Sequence, residues 1–186
     1  MKKRNAWALG LGIGFVVFVA LIFSLRLVVR GSGLRAYIIP SAAMYPTLRP
    51  GDRVLVDARA YAHSTPQRGD VVAFVKDEEE LGKLRYIKRV IAVGGDVIQG
   101  DGEEVKLNGK ILQEPYIASV DNSADPAISF GPVTVPPGQL FVIGDARQNS
   151  NDSRYFGCID VSQVTGRAFY VWGSTKDSSR TPHRIR

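Results

Sequence analysis

Apolar and polar positions follow two different patterns along the chain. Positions 6–25 contain no charged side chain, and twenty such residues form a helix of about 30 Å, the thickness of the hydrocarbon core of a bilayer. Beyond Gly31, short apolar or alternating runs are separated by Gly, Pro, Asn and Asp, which is typical of β-strands. The pattern predicts one N-terminal transmembrane helix followed by a mainly β domain.

The apolar segment 6–25 has two interpretations. A basic start (Lys2, Lys3, Arg4) before an apolar stretch is typical of a cleaved signal peptide. The stretch is longer than an ordinary h-region and ends in L-R-L-V-V-R without an A-x-A-like site, which favours an uncleaved anchor with a cytoplasmic N-terminus. The expected organisation is a cytoplasmic N-terminus (1–5), a transmembrane anchor (6–29), an extracytoplasmic β-rich domain (30–175) and a charged C-terminal tail without periodicity (176–186).

Turn signals divide the β-rich domain into strands. Gly51-Asp52 and Arg68-Gly69-Asp70 each precede an apolar run, and Asn108-Gly109 between two strand-like arms predicts a hairpin. The acidic stretch D-E-E-E-L-G-K, residues 77–83, predicts a solvated loop. The segment from Gly100 to Gly138 carries no chemical motif. Many short strands in one domain favour a coiled, partly open β-sheet or a barrel.

Composition and charge argue against several kinds of site. The 186 residues include 24 Lys and Arg against 18 Asp and Glu. Five of the basic residues and none of the acidic ones lie in residues 1–30, so the rest is nearly balanced and we expect no nucleic-acid partner. Cys158 is the only cysteine, and His63 and His183 are the only histidines. We therefore expect no metal, no cofactor and no Ser-His-Asp triad.

The run from Tyr86 to Val93 places one cation on each of its faces. Alternation assigns Lys88 to one apolar face and Arg89 to the other. One interpretation is an edge strand whose two cations both reach water. The other is a functional lysine, because apolar surroundings lower the pKa of a lysine until it can act as a general base. Arginine stays protonated, so only Lys88 is a candidate base.

Three segments, in this order, resemble those of bacterial type I signal peptidases. They are Y-I-I-P-S-A-A-M-Y-P-T-L (37–48), Y-I-K-R-V-I-A-V-G-G-D (86–96) and G-D-A-R-Q-N-S-N-D-S-R-Y-F-G (144–157). In the family, the first segment usually reads P-S-x-S-M-x-P-T-L, and its second serine attacks the substrate carbonyl. Here that position is Ala43. The resemblance implies a Ser-Lys dyad in which Lys88 is the general base.

The resemblance also implies supporting roles. Ser41, with the backbone N–H of Ala43, matches the group that binds the oxyanion, and Ser150 matches the serine that orients the lysine. The matched charges that buttress the site are Asp145, Arg147, Asp152 and Arg154, and the matched residues that shape the first segment are Pro40, Met44, Pro46 and Thr47. Ala146 replaces the usual Asn, which puts one supporting hydrogen bond in doubt. Without the family, segment 144–157 has another interpretation, a polar surface loop with weak ion pairs.

The function implied is that of a serine endopeptidase in the bacterial inner membrane. It is single-pass, with its catalytic domain outside the cytoplasm, and it removes signal peptides from exported preproteins. The implied partners are signal peptides, the lipid bilayer and the protein export machinery. An aspartic protease is a poor alternative, because the sequence has no D-[ST]-G pair.

Alanine at position 43 removes the attacking oxygen. Loss of a catalytic serine costs on the order of a million-fold in rate, and two residues of extended chain, about 6 to 7 Å, separate Ser41 from that position. We therefore expect this chain to bind signal peptides and hardly cleave them. Lys88 and Ser150 are retained, which favours an engineered replacement over a natural loss. The alternative is a non-catalytic membrane-tethered module that binds exported chains or a partner peptidase.

Overall fold

The computed structural model of the chain describes residues 15, 18–20, 31, 33–102, 104–117 and 129–185. Contacts divide the chain into two units, Met1–Leu34 and Arg35–Arg186. The predicted cytoplasmic segment 1–5 lies outside the described residues, as does most of the predicted anchor 6–29. In the part of the chain that is described, no helix combines the length and apolarity needed to cross a membrane.

From Leu34 onward the described chain is mainly β, as predicted. Its strands are β1 (Leu34–Ile38), β2 (Asp52–Asp57), β3 (Val71–Glu78), β4 (Gly82–Val93), β5 (Val97–Gly100), β6 (Val105–Leu107), β7 (Lys110–Ile111), β8 (Phe130–Thr134), β9 (Gln139–Ile143), β10 (Ile159–Asp160), β11 (Val164–Ser174) and β12 (His183–Arg184). A single helical turn, α1 (Ser153–Phe156), and a 3-10 turn at Val161–Gln163 separate β9, β10 and β11.

The strands form two sheets rather than one closed barrel. The larger sheet has the order β1-β2-β11-β3-β4-β9-β10, with β12 paired to β11, and the smaller has the order β7-β6-β5-β8. Every strand pair whose register is described is antiparallel. The predicted hairpin joins β6 to β7, and both Asn108 (φ 51°) and Gly109 (φ 77°) have the left-handed conformation that an Asn-Gly turn needs.

Two polar segments contain paired strands, and for the first of them this corrects the prediction. The acidic stretch 77–83 is not simply a loop, because β3 and β4 pair in continuous register from Val71 and Arg89 to Glu78 and Gly82. The C-terminal tail is partly ordered, since His183 of β12 pairs with Val171 of β11. In both places pairing with a neighbouring strand satisfies backbone groups that the polar composition suggested would face water.

The edge-strand interpretation of Lys88 and Arg89 is wrong. Strand β4 lies between β3 and β9 in the larger sheet, and Lys88 and Arg89 are 3% and 1% exposed. A register shift between Val90 and Ala92, where β4 pairs with β9, interrupts the regular alternation. The charged groups of both side chains therefore lie inside the protein, where each needs a polar partner.

Candidate active site

A cleft of about 440 Å³ brings together residues from all three predicted segments. Ser41 and Ala43 line it from the stretch after β1, and Lys88 lines it from β4. Asn149 and Asn151 contribute from the third segment, 144–157. Residues far apart in the sequence thus share one cavity, to which the end of β1, strand β4 and the loop after β9 all contribute.

The first segment forms a tight turn between β1 and β2. The Tyr45 N–H donates to the carbonyl of Ala42 at 2.9 Å, and the Leu48 N–H donates to the carbonyl of Met44 at 2.8 Å. The backbone from Ser41 onward is therefore bent, and the separation assumed above for an extended chain does not apply.

The matched shaping residues have different surroundings. Pro40 is exposed and lines the cleft. Met44 is 2% exposed and packs, with Leu48, in the apolar cluster that contains Val54 and Val56 of β2. Pro46 is half-buried and follows a cis peptide bond. The apolar side chains thus anchor this turn to the core of the larger sheet.

Lys88 ends in a short chain of hydrogen bonds. Its Nζ donates to Oγ of Ser150 at 2.8 Å, and that hydroxyl donates to Oδ2 of Asp152 at 2.6 Å. Burial lowers the pKa of the Lys88 ammonium to about 8; the charge of Arg154 acts in the same direction, while Asp152 and Asp145 oppose the shift. A neutral amine near pH 8 is what a general base requires.

Gly144 allows the first and third segments to approach each other. A Cβ at this position would overlap both Oγ of Ser150 and the carbonyl oxygen of Ala43. That carbonyl accepts a hydrogen bond of 3.2 Å from the N–H of Ala146, and the Gly144 N–H donates to Asp152 at 3.0 Å. Any larger side chain would therefore push position 43 away from Ser150.

Ala43 lines the cleft and has a backbone N–H as a candidate donor. Within the described residues, no protein acceptor takes this donor. Ser41, two residues earlier, is exposed beside it in the same cleft. An amide and a hydroxyl at the edge of one cavity are the kinds of donor that stabilise a developing oxyanion.

A buried ion pair joins β4 to the start of the third segment. Arg89 Nε donates to Asp145 Oδ1 at 2.9 Å and Nη2 to Oδ2 at 2.7 Å, and both side chains are 1% exposed. Asp145 also accepts a 2.5 Å hydrogen bond from Oγ1 of Thr47. The guanidinium carbon of Arg89 lies 3.9 Å from the centre of the Tyr116 ring. The pair therefore links all three segments.

Two further arginines of segment 144–157 also form buried pairs. Arg154 binds Asp152 through Nε at 2.8 Å and Nη2 at 2.9 Å. Arg147 makes two hydrogen bonds with Glu114, one of them 2.9 Å long, and these side chains are 5% and 11% exposed. The interpretation of this segment as a surface loop with weak ion pairs is therefore wrong.

Some of these contacts were not predicted from the sequence. The sequence interpretations of Arg89 are a cation that reaches water and a cation unable to act as a base, although a second cation in an apolar strand itself indicates a buried carboxylate partner. Glu114 and Tyr116 lie in a segment without a recognisable motif. They follow β7 of the smaller sheet, and the path of the chain after that strand brings them to Arg147 and Arg89. The local sequence contains no signal for this path.

Comparisons with known proteins identify the family. The family model described as "Signal peptidase, peptidase S26" matches residues 11–173. A probable signal peptidase I-2 from Synechocystis sp. is 39% identical over 169 residues, covering 89% of this chain and 73% of the relative. Signal peptidase I from Bacillus amyloliquefaciens is 32% identical over 186 residues, covering 97% and 92%. This chain belongs to the signal peptidase family, peptidase S26, and its relatives there are bacterial type I enzymes.

A solved structure is also similar. The crystal structure of a signal peptidase I from Enterococcus faecalis V583 is 31% identical, with a TM-score of 0.43 over 56% of this chain and 97% of that chain.

Proposed function

We propose that this chain is the scaffold of a serine endopeptidase that removes signal peptides from exported preproteins. Position 43 is the site of the nucleophile and Lys88 is the general base. The observation that carries the proposal is a buried lysine with a lowered pKa, held by Ser150 and lining the same cleft as Ala43 and Ser41. Membership of the family supports the substrate class.

With serine at position 43, the reaction follows from these groups. The serine oxygen attacks the scissile carbonyl carbon while Lys88 Nζ takes its proton, and the carbonyl oxygen becomes negative. The N–H of residue 43 and the Ser41 hydroxyl donate to that oxyanion. The Lys88 ammonium then returns its proton to the leaving amine as the C–N bond breaks. Lys88 next deprotonates a water molecule that attacks the ester carbonyl, and it returns this proton to the serine oxygen as the acyl C–O bond breaks.

Ser150 orients the base. Because its hydroxyl proton points to Asp152, its oxygen accepts from Lys88 and holds Nζ in one direction. The carboxylate of Asp152 is neutralised by Arg154, and that of Asp145 by Arg89. These paired charges keep the opposing effects on the Lys88 pKa small enough for burial to dominate.

The chain as it stands lacks the attacking oxygen. Its own activity is then binding without efficient cleavage, with a rate reduced on the order of a million-fold. The intact Lys88 and Ser150 support an engineered replacement of the serine. The alternative is a non-catalytic module that holds exported chains or a partner peptidase, and alanine at the nucleophile position is the observation that favours it.

The proposed setting is the bacterial inner membrane. An anchor at 6–29 with a cytoplasmic N-terminus would hold the domain outside the cytoplasm, in contact with the bilayer and the export machinery. Tethering the site to the bilayer raises the effective concentration of a substrate that is itself in the membrane.

Restoring the nucleophile tests the function. The Ala43→Ser form and the parent chain are incubated in detergent micelles with a preprotein that carries a signal peptide, and mature product is measured. We expect cleavage by the Ala43→Ser form only, and its loss when Lys88→Met is added. No cleavage by the Ala43→Ser form, with peptide binding retained, would instead support the binding module. Equal cleavage by both forms would contradict the role of position 43.

A further inference from the structure

The C-terminal tail contacts the segment that carries position 43. The matched family region ends at residue 173, so the tail residues that make this contact lie beyond it. The N–H and the hydroxyl of Thr175 both donate to the carbonyl of Gly51, at 2.8 and 3.1 Å. The stem of Lys176 covers Gly51 so closely that a Cβ there would lie 2.8 Å from Cγ of the lysine.

Arg180 makes the main polar contact of the tail. Its Nη2 donates to Oδ2 of Asp52 at 3.0 Å and to the carbonyl of Thr47 at 3.1 Å, and its Nε lies 3.3 Å from both carboxylate oxygens. The side chain of Asp52 is 1% exposed, and that of Arg180 is 14% exposed. Asp52 also accepts from the backbone N–H of Arg49 at 2.9 Å. One guanidinium thus closes the turn from Thr47 to Asp52 at both ends.

That turn is continuous with the candidate active site. The Ile39 N–H donates to the carbonyl of Asp52 at 2.9 Å, and the Gly51 N–H donates to the carbonyl of Ile39 at 2.8 Å, which closes a loop over residues 39–52. Thr47, whose carbonyl Arg180 holds, also donates its hydroxyl to Asp145 at 2.5 Å. The loop that carries Ser41 and Ala43 is therefore held by Asp145 on one side and by Arg180 on another.

We propose that Arg180 is a positioning residue for the nucleophile loop. Acting through Asp52 and the Thr47 carbonyl, it sets where residues 41 and 43 lie relative to Lys88. A planar guanidinium satisfies both acceptors at once, whereas an ammonium is a point donor without that geometry. Without Arg180, the buried carboxylate of Asp52 loses its charged partner and the carbonyl of Thr47 loses its guanidinium donor. The expected effect on catalysis rests on the proposed function, whereas the expected effect on the position of the loop does not.

Hydrogen exchange of the chain with Ala43 left in place tests the structural part. Arg180→Ala is compared with Arg184→Ala, which removes the same side chain from an exposed position of the same tail. We expect the amides of Leu48 and Gly51 to exchange about tenfold faster or more in Arg180→Ala only, with Val90 in β4 unchanged as an internal reference. Unchanged rates at Leu48 and Gly51, or an equal rise at Val90, would overturn the proposal.

Kinetics of the Ala43→Ser form test the catalytic part. We expect Arg180→Ala to lower kcat about tenfold or more, because residue 43 moves relative to Lys88. The pH midpoint should stay unchanged, because Arg180 contacts Thr47 and Asp52 and not the charged groups that act on Lys88. Arg180→Lys should recover part of kcat, and Arg184→Ala should match the parent. An unchanged kcat per folded molecule would overturn the positioning role. If Ala43→Ser has no activity at all, the proposed function fails, and hydrogen exchange still decides whether Arg180 holds the loop.

Discussion

The ammonium of Lys88 donates a 2.8 Å hydrogen bond to Ser150, which lies 62 positions further along the chain. The hydroxyl of Ser150 in turn donates to Asp152, whose charge is paired with that of Arg154. The protonation of Lys88 is thus linked to an ion pair that the substrate need not touch. The first two predictions below concern Lys88, and the other two concern Gly144 and the Arg89–Asp145 pair.

The first prediction is the pH dependence of catalysis. Since the pKa of Lys88 is lowered to about 8, kcat/KM of the Ala43→Ser form should rise with pH and level off above a midpoint of about 8. Initial rates on a preprotein across this range measure it. Lys83→Met, at an exposed lysine of the same strand, should leave the midpoint in place, and a profile that is flat between about pH 6 and 10 would contradict Lys88 as the base.

The second prediction concerns stability. The pKa of Lys88 falls from an ordinary 10.5 to about 8 on folding, so the folded protein bears an unfavourable charge below pH 8. This cost, about 3 kcal/mol at most, is relieved as pH rises from about 8 towards 10.5. Lys88→Met has no such group. Between about pH 8 and 10.5, the free energy of unfolding of the parent should therefore increase relative to that of the variant.

Urea unfolding of the parent and of Lys88→Met at about pH 7 and pH 9.5 measures that gain. Comparison of the two proteins cancels the contributions of other groups, such as Cys158, whose thiol pKa is raised by burial. A difference between the two proteins that is the same at both pH values would show that Lys88 titrates normally in the folded state.

The third prediction concerns Gly144. A methyl group at this position would overlap the Ala43 carbonyl and the Ser150 hydroxyl, so Gly144→Ala should cost about 1 to 3 kcal/mol of stability. In the Ala43→Ser form it should also lower kcat about 100-fold or more, because small displacements of reacting groups are costly. Thermal unfolding and initial rates measure the two effects. If adding Gly144→Ala leaves the activity of the Ala43→Ser form unchanged, the approach of these segments does not matter for the chemistry.

The fourth prediction compares a buried with an exposed ion pair. Asp145→Asn leaves the guanidinium of Arg89 buried without its charge partner, and should destabilise the protein by about 3 to 5 kcal/mol. The matched control is Asp101→Asn, which weakens a pair with Lys106 whose side chains are 35% and 37% exposed, and should cost about 0 to 1 kcal/mol. Denaturant unfolding of both variants tests this, and equal losses would refute the structural importance assigned to Asp145.

Local patterns in the sequence were sufficient for part of this description. Alternation beyond Gly31 indicated the β class, and Asn108-Gly109 indicated the β6–β7 hairpin, because strand period and turn type depend on neighbouring residues alone. The choice of Lys88 over Arg89 as the candidate base needed only the chemistry of the two side chains. The order of three segments was enough to recognise the family, which the comparisons confirm.

Tertiary structure decided what lies far apart along the chain. The partners of Arg89, Arg147 and Arg180 are 56, 33 and 128 positions away, and no local period encodes such distances. The tail is charged and without periodicity, so its sequence contains no signal for the contacts with strand β11 and the buried Asp52. The lowered pKa of Lys88 likewise depends on burial between strands that only the sheet order brings together. The sequence alone therefore determined which groups are chemically able to act, and the fold decided which of them meet, because ion pairing and desolvation depend on distance in space.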